Sequence, residues 1–334
     1  MPRPLKVAAA QVGAVHLTTP KSEVVQRMTA LLQQAIDQKV QLVVYPETSF
    51  TTFFPRHLFH SQEELDAFFE KNEDISQNED VRPLFDLARE HRVDICVGYA
   101  ERCDDGKTGF NTCVYFSGAQ GKVISKYRKV HLPGTVEPFP DPKAINQLEK
   151  RYFQPGNLGF QAFRIPSLLP DAIKKGDVTP DQKTIGKGDP IAGMLICNDR
   201  RWPEAWRVYG LQGVELILCG FNTTVWAPDL FGMKKIMTMG QAEDEAYYHH
   251  KLCMEANSYM NSCFSISAAR AGKDDGKYGL MGGSSVVNPQ GHTIAQAKGD
   301  GDELVVADID LEDCRQGKEK VSKVRDRLGV HLLT

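Results

Sequence analysis

A short apolar run that ends at a single cysteine constrains this chain more than any other feature. Residues 191–196 are apolar or glycine, and the chain turns polar from Cys197 onwards. This pattern predicts a buried strand that places Cys197 at its end. Pro203 suits the first turn of a following helix, whose dipole would favour the thiolate. A lone cysteine in an apolar strand is more often structural, so the case for a nucleophile depends on other residues.

Two further runs end in residues that could assist a cysteine nucleophile. Residues 40–45 lead through a proline to Glu47, and residues 122–128 lead to Lys129. A carboxylate, an ammonium group and a thiol at three strand ends would supply a base, an oxyanion donor and a nucleophile. Taken alone, the cations near Lys129 would be a solvated strand edge.

These motifs, in this order, resemble the nitrilase superfamily of carbon-nitrogen hydrolases. They are Tyr45-Pro-Glu47, Lys126-Tyr-Arg-Lys129-Val-His-Leu and Cys197-Asn-Asp, which match the Glu-Lys-Cys triad of that family. Further stretches resemble its N-carbamoyl-D-amino acid amidohydrolase branch, namely residues 51–56, 131–134, 148–156 and 197–204. The resemblance spans nearly the whole chain.

The fold follows partly from the residues and partly from the resemblance. Strand-helix units at both ends, with hairpins between them, predict a mixed sheet of the α/β class. The resemblance implies a four-layer α-β-β-α sandwich, formed by a single carbon-nitrogen hydrolase domain over residues 1–334. It also implies a homodimer or homotetramer, and it implies no metal or organic cofactor.

The resemblance also implies a set of site residues. Glu47, Lys129 and Cys197 would be catalytic, with Glu149 as a second glutamate beside them. Guanidinium groups fit carboxylates in a planar fork, so Arg200 and Arg201 would hold a substrate carboxylate. The alternative is that one of them pairs internally with Asp199 or Glu204. The remaining ligand-site positions are Asn198, whose backbone N–H would face the oxyanion, Asn222 and His131.

The activity that the resemblance implies is hydrolysis of an N-carbamoyl-D-amino acid to the D-amino acid, ammonia and carbon dioxide. Cys197 would form an S-carbamoyl intermediate. Gln147 stands where relatives carry a histidine, and this departure concerns the side-chain preference or the branch more than the triad. Nothing in the residues themselves distinguishes D from L substrates.

Other functions remain open. An aliphatic amidase or a β-ureido acid hydrolase would use the same scaffold. A catalytically silent binding scaffold belongs to a different class of protein. His249 and Cys253, four residues apart, would suit zinc, although no second ligand pair has recognisable spacing.

Composition narrows the possible partners and location. The net charge is −3 with 25% charged residues, which gives no excess that would indicate nucleic acid, so a small-molecule substrate is expected. The eight cysteines lack paired C-x-x-C spacing and are expected to be reduced. We expect a cytoplasmic protein, because no apolar stretch approaches the roughly 18 residues of a membrane helix and no secretory segment is recognisable.

Several local features complete the expectations. Thr19 is predicted to cap a helix that Pro20 opens, and residues 61–64 have the spacing of a capping box. Residues 168–187, rich in Lys, Asp, Gly, Pro and Thr, are predicted to be a loop insertion. Residues 311–334 are predicted to be a basic, partly helical C-terminal tail.

Overall fold

The computed structural model describes residues 2–71, 74–103, 105, 109–169, 188–227 and 237–321. The predicted insertion therefore lies outside the described residues except for its first two, and so does the tail beyond residue 321. Those first two residues, Leu168 and Leu169, are buried in the core. In this part of the chain, no helix is both long enough and apolar enough to cross a membrane.

Strands and helices alternate through the first and central parts of the chain. The strands are β1 (Pro4–Gln11), β2 (Leu42–Val44), β3 (Asp94–Arg102), β4 (Gly109–Ser117), β5 (Lys122–Arg128), β6 (Phe163–Arg164), β7 (Ile191–Ile196), β8 (Leu216–Phe221), β9 (Phe264–Ala269), β10 (Ala271–Asp274), β11 (Tyr278–Met281), β12 (Ser285–Val287), β13 (Thr293–Gln296) and β14 (Glu303–Asp310). The helices are α1 (Lys21–Asp37), α2 (Gln62–Asp66), α3 (Arg82–Glu90), α4 (Glu149–Tyr152), α5 (Pro203–Leu211), α6 (Met239–Asn261) and α7 (Asp313–Gln316). Shorter helical turns span Phe54–Arg56, Ile75–Gln77, Cys197–Arg201 and Gly317–Val321.

Within the described residues, the strands form two six-stranded sheets and one two-stranded sheet. The first large sheet has the order β14-β1-β2-β3-β4-β5, and the second has the order β13-β12-β9-β8-β7-β6. The small sheet pairs β10 with β11. This small sheet was not predicted, because its two strands are short and lack an alternating apolar pattern.

Alternate residues of the central strands face two different cores, as the twofold period of a strand requires. In β2, Leu42 and Val44 pack between the two sheets, whereas Val43 packs with residues of α1 and α3. In β8, Leu218 packs between the sheets and Cys219 packs with residues of α5. The predicted α-β-β-α sandwich is confirmed by this layering.

Strand direction places several chain ends at one edge of each sheet. Strand β2 is parallel to β3, and β5 runs in the same direction as β3 because two antiparallel pairings separate them. Strands β7, β8 and β9 are likewise parallel to one another. The residues that follow β2, β5, β7 and β8 can therefore meet between the sheets.

The helix starts agree with the sequence patterns only in part. Helix α1 has Pro20 at its N-cap position, and Thr19 Oγ1 accepts from His16 N at 2.9 Å. The predicted Thr19 cap is wrong, because its hydroxyl closes the preceding turn instead. Ser61 caps α2 as predicted, by accepting from Glu64 N at 3.1 Å. The Glu64 carboxylate, however, accepts from the backbone of the residue before Ser61.

A buried ion pair joins the two large sheets at the end where β1 and β8 begin. Arg3, just before β1, donates to both carboxylate oxygens of Glu215, just before β8, at 2.7 and 2.8 Å. Both side chains are almost fully buried. Such a pair stabilises mainly because either charge left alone would be costly.

We expect Arg3→Met to lower the free energy of unfolding by about 3–5 kcal/mol, because it strands the buried Glu215 charge. The double variant Arg3→Met/Glu215→Leu should recover much of that loss. Urea denaturation of the two variants and the parent protein measures this difference. An equal loss in the single and double variants would contradict the explanation.

Candidate active site

Three strand ends bring the predicted catalytic residues together. Glu47 follows β2, Lys129 follows β5 and Cys197 follows β7. Lys129 Nζ lies 2.6 Å from Glu47 Oε1 and 2.6 Å from Glu149 Oε2. All four side chains are buried. The structure thus places the Glu149 carboxylate in the same cluster as the predicted triad.

Two asparagines orient the Glu47 carboxylate. Asn111 Nδ2 donates to Oε1 at 2.7 Å, and Asn222 N donates to Oε2 at 3.0 Å. Asn222 also donates its side-chain amide to the Glu47 carbonyl at 3.0 Å, and its own carbonyl accepts from Cys197 Sγ at 3.3 Å. Asn222 therefore connects the predicted base to the predicted nucleophile. Sequence reasoning missed Asn111, which lies within a strand and carries no motif of its own.

The backbone of Glu47 passes between two glycines, one from each sheet. A Cβ atom on Gly98 of β3 would lie 2.6 Å from the Pro46 carbonyl oxygen. A Cβ atom on Gly220 of β8 would lie 2.7 Å from Glu47 N. Both distances are shorter than the usual closest approach of a Cβ atom to a non-bonded atom. The position of Glu47 therefore requires glycine at both sites.

Cys197 adopts a left-handed backbone conformation, with φ at 49°. This region is unfavourable for residues with a Cβ atom, and such strain occurs mostly at functional positions. Arg200 supports the turn by donating from Nη1 to the Cys197 carbonyl at 2.7 Å. The sharp turn that follows β7 holds the thiol between the sheets.

Burial decides the protonation state of the nucleophile. Burial and then the Glu47 charge raise the pKa of Cys197 to about 11, against the opposing effect of Lys129 and Arg200. The expectation that a helix N-terminus favours the thiolate is wrong, because α5 starts only at Pro203 and desolvation dominates. The resting thiol is therefore protonated and needs a general base.

Lys129 remains a cation despite its burial. Burial alone would lower its pKa, but Cys197, Glu149 and Glu47 together raise the pKa of Lys129 well above its ordinary value. A buried ammonium group held between two carboxylates is a preorganised donor for a developing negative charge.

Gln147, which stands where relatives carry a histidine, contacts the second glutamate. Its Nε2 donates to Glu149 Oε1 at 2.8 Å, while the other oxygen of Glu149 accepts from Lys129. Burial raises the pKa of Glu149 to about 7, against the opposing charge of Lys129. Gln147 therefore orients the second glutamate.

The two adjacent arginines have different surroundings. Arg200 is buried, and its Nε, Nη1 and Nη2 donate to His250 Nδ1, the Cys197 carbonyl and Thr223 Oγ1 at 3.1, 2.7 and 2.9 Å. All three nitrogens are thus bonded to protein. A direct contact between Arg200 and a substrate carboxylate remains a prediction that this placement does not favour.

Arg201 is half-buried and makes no hydrogen bond or ion pair with any residue that the structure describes. Burial and the neighbouring Arg200 charge lower its pKa, whereas Cys197 and Cys253 raise it. Neither arginine pairs with Asp199 or Glu204 in the described part of the chain. Arg201 is thus the member of the pair that is available for an anionic ligand.

Asp199 ties the segment after β5 to the turn after β7. Its Oδ1 accepts from His131 N at 2.9 Å and lies 2.8 Å from His131 Nδ1. Its Oδ2 accepts from the Tyr127 hydroxyl at 2.8 Å. The Asn198 amide donates to the His131 carbonyl at 3.2 Å. We predicted Asp199 only as a partner for arginine, whereas its bonds make it a positioning residue.

His131 and Asn198 also line a cavity of about 440 Å³ beside Trp202. This volume is in the range of small-molecule sites. The backbone N–H of Asn198 belongs to the first turn after the strand, where N–H groups lack partners within the turn. The position of the Asn198 N–H is compatible with a donor to an oxyanion, and this role stays a prediction.

No group of three or more His, Cys, Asp or Glu side chains is placed to hold a metal ion in the described ranges. His249 Nε2 lies 3.4 Å from Glu245 Oε2, one helical turn away on α6.

A buried thiol, a carboxylate and an ammonium group that meet between the sheets of an α-β-β-α sandwich define a hydrolase of the nitrilase superfamily. The family model described as carbon-nitrogen hydrolase matches residues 6–319. The chain belongs to this carbon-nitrogen hydrolase family.

Relatives with this fold cover nearly the whole chain. A nitrilase of Pyrococcus abyssi is 27% identical over 92% of this chain and 90% of its own. Omega-amidase NIT2 of Homo sapiens is 26% identical over 94% and 92%. A citrullinase of Francisella tularensis is 23% identical over 97% and 95%. A solved carbon-nitrogen hydrolase from Helicobacter pylori G27 has a TM-score of 0.73 at 22% identity, covering 97% and 96%, and supports the fold.

Gly220→Ala should lower kcat/KM by about 100-fold, because the new methyl group displaces the Glu47 backbone and small misplacements of a catalytic group are costly. Gly240→Ala is the matched control, since a Cβ at Gly240 meets nothing within 4 Å. Steady-state kinetics of both folded variants, checked by circular dichroism, make the comparison. Near-normal activity of Gly220→Ala would refute the proposed constraint.

Glu149→Gln should change how stability depends on pH. Burial raises the pKa of Glu149 from 4.5 to about 7, so its contribution is fully present below pH 4.5 and is lost as pH rises through 7. The melting temperature of the parent protein, measured relative to that of Glu149→Gln, should therefore fall between pH 5 and 8. A difference that stays constant over this range would argue against the raised pKa.

Proposed function

We propose that this chain hydrolyses N-carbamoyl-D-amino acids to ammonia, carbon dioxide and the D-amino acid. The observation that carries the proposal is the half-buried Arg201 guanidinium, which no described residue pairs and whose pKa responds to Cys197. An unpaired cation at the end of the turn that begins at Cys197 suits a substrate that carries a carboxylate on the carbon attached to its ureido group. The motifs at residues 51–56, 131–134, 148–156 and 197–204 add support for this branch.

The first half-reaction begins with proton transfer. Glu47 takes the proton of the Cys197 thiol, and the sulfur attacks the ureido carbonyl carbon. The carbonyl oxygen becomes an oxyanion, which Lys129 and the Asn198 backbone N–H stabilise. The C–N bond to the terminal nitrogen then breaks, and Glu47 returns the proton so that ammonia leaves. The remaining product is an S-carbamoyl enzyme.

The second half-reaction uses the same base. Glu47 takes a proton from water, which attacks the thioester-like carbonyl carbon and expels the Cys197 sulfur. The sulfur takes that proton from Glu47, which restores the thiol and the carboxylate. The N-carboxy amino acid that is released loses carbon dioxide to give the free amino acid. Lys129 neutralises the oxyanion in both steps, and Glu149 holds Lys129 in place. No step requires a metal ion or an organic cofactor.

Two relatives have names that bear on the type of substrate. A citrullinase is named for citrulline, an amino acid that carries a ureido group, which is the group that the proposal requires. The omega-amidase relatives support a second candidate, hydrolysis of a carboxylate-bearing amide. A β-ureido acid hydrolase would use the same residues. A catalytically silent binding scaffold, in contrast, would not require the triad residues to be assembled.

The test is ammonia release from paired N-carbamoyl-D- and N-carbamoyl-L-amino acids, with the matching β-ureido acid and ω-amide as competitors. We expect turnover of the D-ureido acid and at least a 1,000-fold lower rate for Cys197→Ala, on the order of the loss when a covalent nucleophile is removed. Faster turnover of the ω-amide or the β-ureido acid would replace the proposal by that candidate. Stoichiometric alkylation of Cys197 without any hydrolytic activity to lose would favour the silent scaffold.

A further inference from the structure

The side chain of Arg56 is buried without hydrogen bonds. It is 3% exposed, and its Nε, Nη1 and Nη2 atoms have no hydrogen-bond partner among the described residues. Its one carboxylate neighbour in that part of the chain is Asp274, with Oδ2 at 3.9 Å from Nη1. The guanidinium lies between two aromatic rings, with centroids at 5.2 Å for Phe53 and 5.4 Å for Tyr278. A desolvated cation in this state is costly unless something binds it.

Asp274 does not satisfy Arg56, because its oxygens serve other groups. Oδ1 accepts from Val15 N at 2.9 Å and lies 3.5 Å from Arg270 Nη2, while Oδ2 accepts from Thr52 Oγ1 at 3.2 Å. One buried carboxylate is therefore shared by two buried guanidinium groups. None of the oxygens of Asp274 makes a hydrogen bond to Arg56, whose N–H donors remain open to an additional anion.

The segment that carries Arg56 is hydrogen-bonded to the segment that carries Glu149. The carbonyl of Pro55 accepts from the backbone N–H of Leu148, directly before Glu149, at 2.7 Å. Tyr278, which covers Arg56, belongs to β11, and Met281 at the end of that strand donates to the Thr223 carbonyl next to Asn222. Burial lowers the pKa of Arg56, while the charges of Asp274, Glu47 and Cys197 oppose that effect. The guanidinium is thus within electrostatic reach of both base and nucleophile.

Two other buried arginines near Arg56 or Cys197 donate hydrogen bonds to the protein. Arg200 bonds through all three nitrogens, and Arg270 donates to the Thr51 carbonyl at 3.0 Å. Arg56 is different, although it is equally buried and also lies in the motif of residues 51–56. Its planar guanidinium packs between two aromatic rings, and its N–H donors have no partner among the described residues.

We infer that the Arg56 guanidinium binds a carboxylate of the substrate through paired N–H donors, as a specificity-determining group distinct from Arg201. The inference rests on the proposed function and refines it. The two arginines have different surroundings, because Arg56 lies between the rings of Phe53 and Tyr278, whereas Arg201 ends the turn that begins at Cys197. The carboxylate is either the α-carboxylate of a ureido acid or a carboxylate on its side chain.

The kinetic test compares Arg56→Met and Arg201→Met with the parent protein on three substrates. These are N-carbamoylphenylalanine, the corresponding alcohol with CH2OH in place of the carboxylate, and N-carbamoylaspartate. Arg56→Met should raise KM for a bound carboxylate by about 10- to 100-fold, the usual loss for a charge-assisted hydrogen bond, and should leave kcat/KM for the alcohol unchanged. A loss on both acids assigns the α-carboxylate, and a loss on the aspartate derivative alone assigns the side-chain carboxylate. Equal losses on acid and alcohol, or no loss on either acid, would overturn the inference.

A stability measurement separates ligand binding from a structural role. Without ligand, Arg56→Met should melt at or above the temperature of the parent protein, because no hydrogen bond is lost. Arg270→Met, the matched control, should melt lower because it loses its bond to the Thr51 carbonyl. A decrease for Arg56→Met as large as that for Arg270→Met would mean that Arg56 is structural.

Binding can also be read without turnover. N-acetylaspartate, which carries both an α-carboxylate and a side-chain carboxylate, should raise the melting temperature of the parent protein, and Arg56→Met should reduce that increase more than Arg56→Lys does. This measurement tests Arg56 even if the parent protein hydrolyses none of the ureido substrates, a result that would contradict the proposed function alone. An unchanged increase in Arg56→Met would overturn the inference.

Discussion

The site depends on the contact between two sheets at Glu47. Its backbone fits between Gly98 and Gly220, and its carboxylate accepts hydrogen bonds from Asn111 on one sheet and from Asn222 after a strand of the other. Glu47 can therefore occupy this position only when both sheets are packed. Packing of the two sheets thus also preorganises the hydrogen bonds of the predicted catalytic site.

Charge is arranged around the nucleophile in a definite order. Lys129 lies between Glu47 and Glu149, so the central ammonium group is neutralised by carboxylates at 2.6 Å on two sides. Arg200 is used to support the turn at Cys197, while Arg201 remains unpaired among the described residues. The described surroundings therefore compensate the charge of Lys129 and leave the charge of Arg201 uncompensated. This difference is the basis of the roles proposed for the two cations.

Sequence reasoning worked best where a motif coincided with a strand end. The apolar runs before Glu47 and Cys197 are buried strands, and the hairpin of β4 and β5 ends beside Lys129. It failed where two backbone positions competed for one side chain, as at Thr19, and where burial outweighed a dipole, as at Cys197. Short polar strands such as β10 also gave no periodic signal.

The amino-acid sequence alone determined most of the strands and helices in their order, except β6, β10 and β11, together with the motif positions of the triad and the resemblance that implied four layers. These follow from local periodicity and from residues close together in the chain. Tertiary structure decided which arginine is bonded inside, that Gln147 holds Glu149, and that Arg56 is buried without partners. Hydrogen bonding, desolvation and pKa depend on groups that are distant in sequence, and these groups become neighbours only when the two sheets pack together.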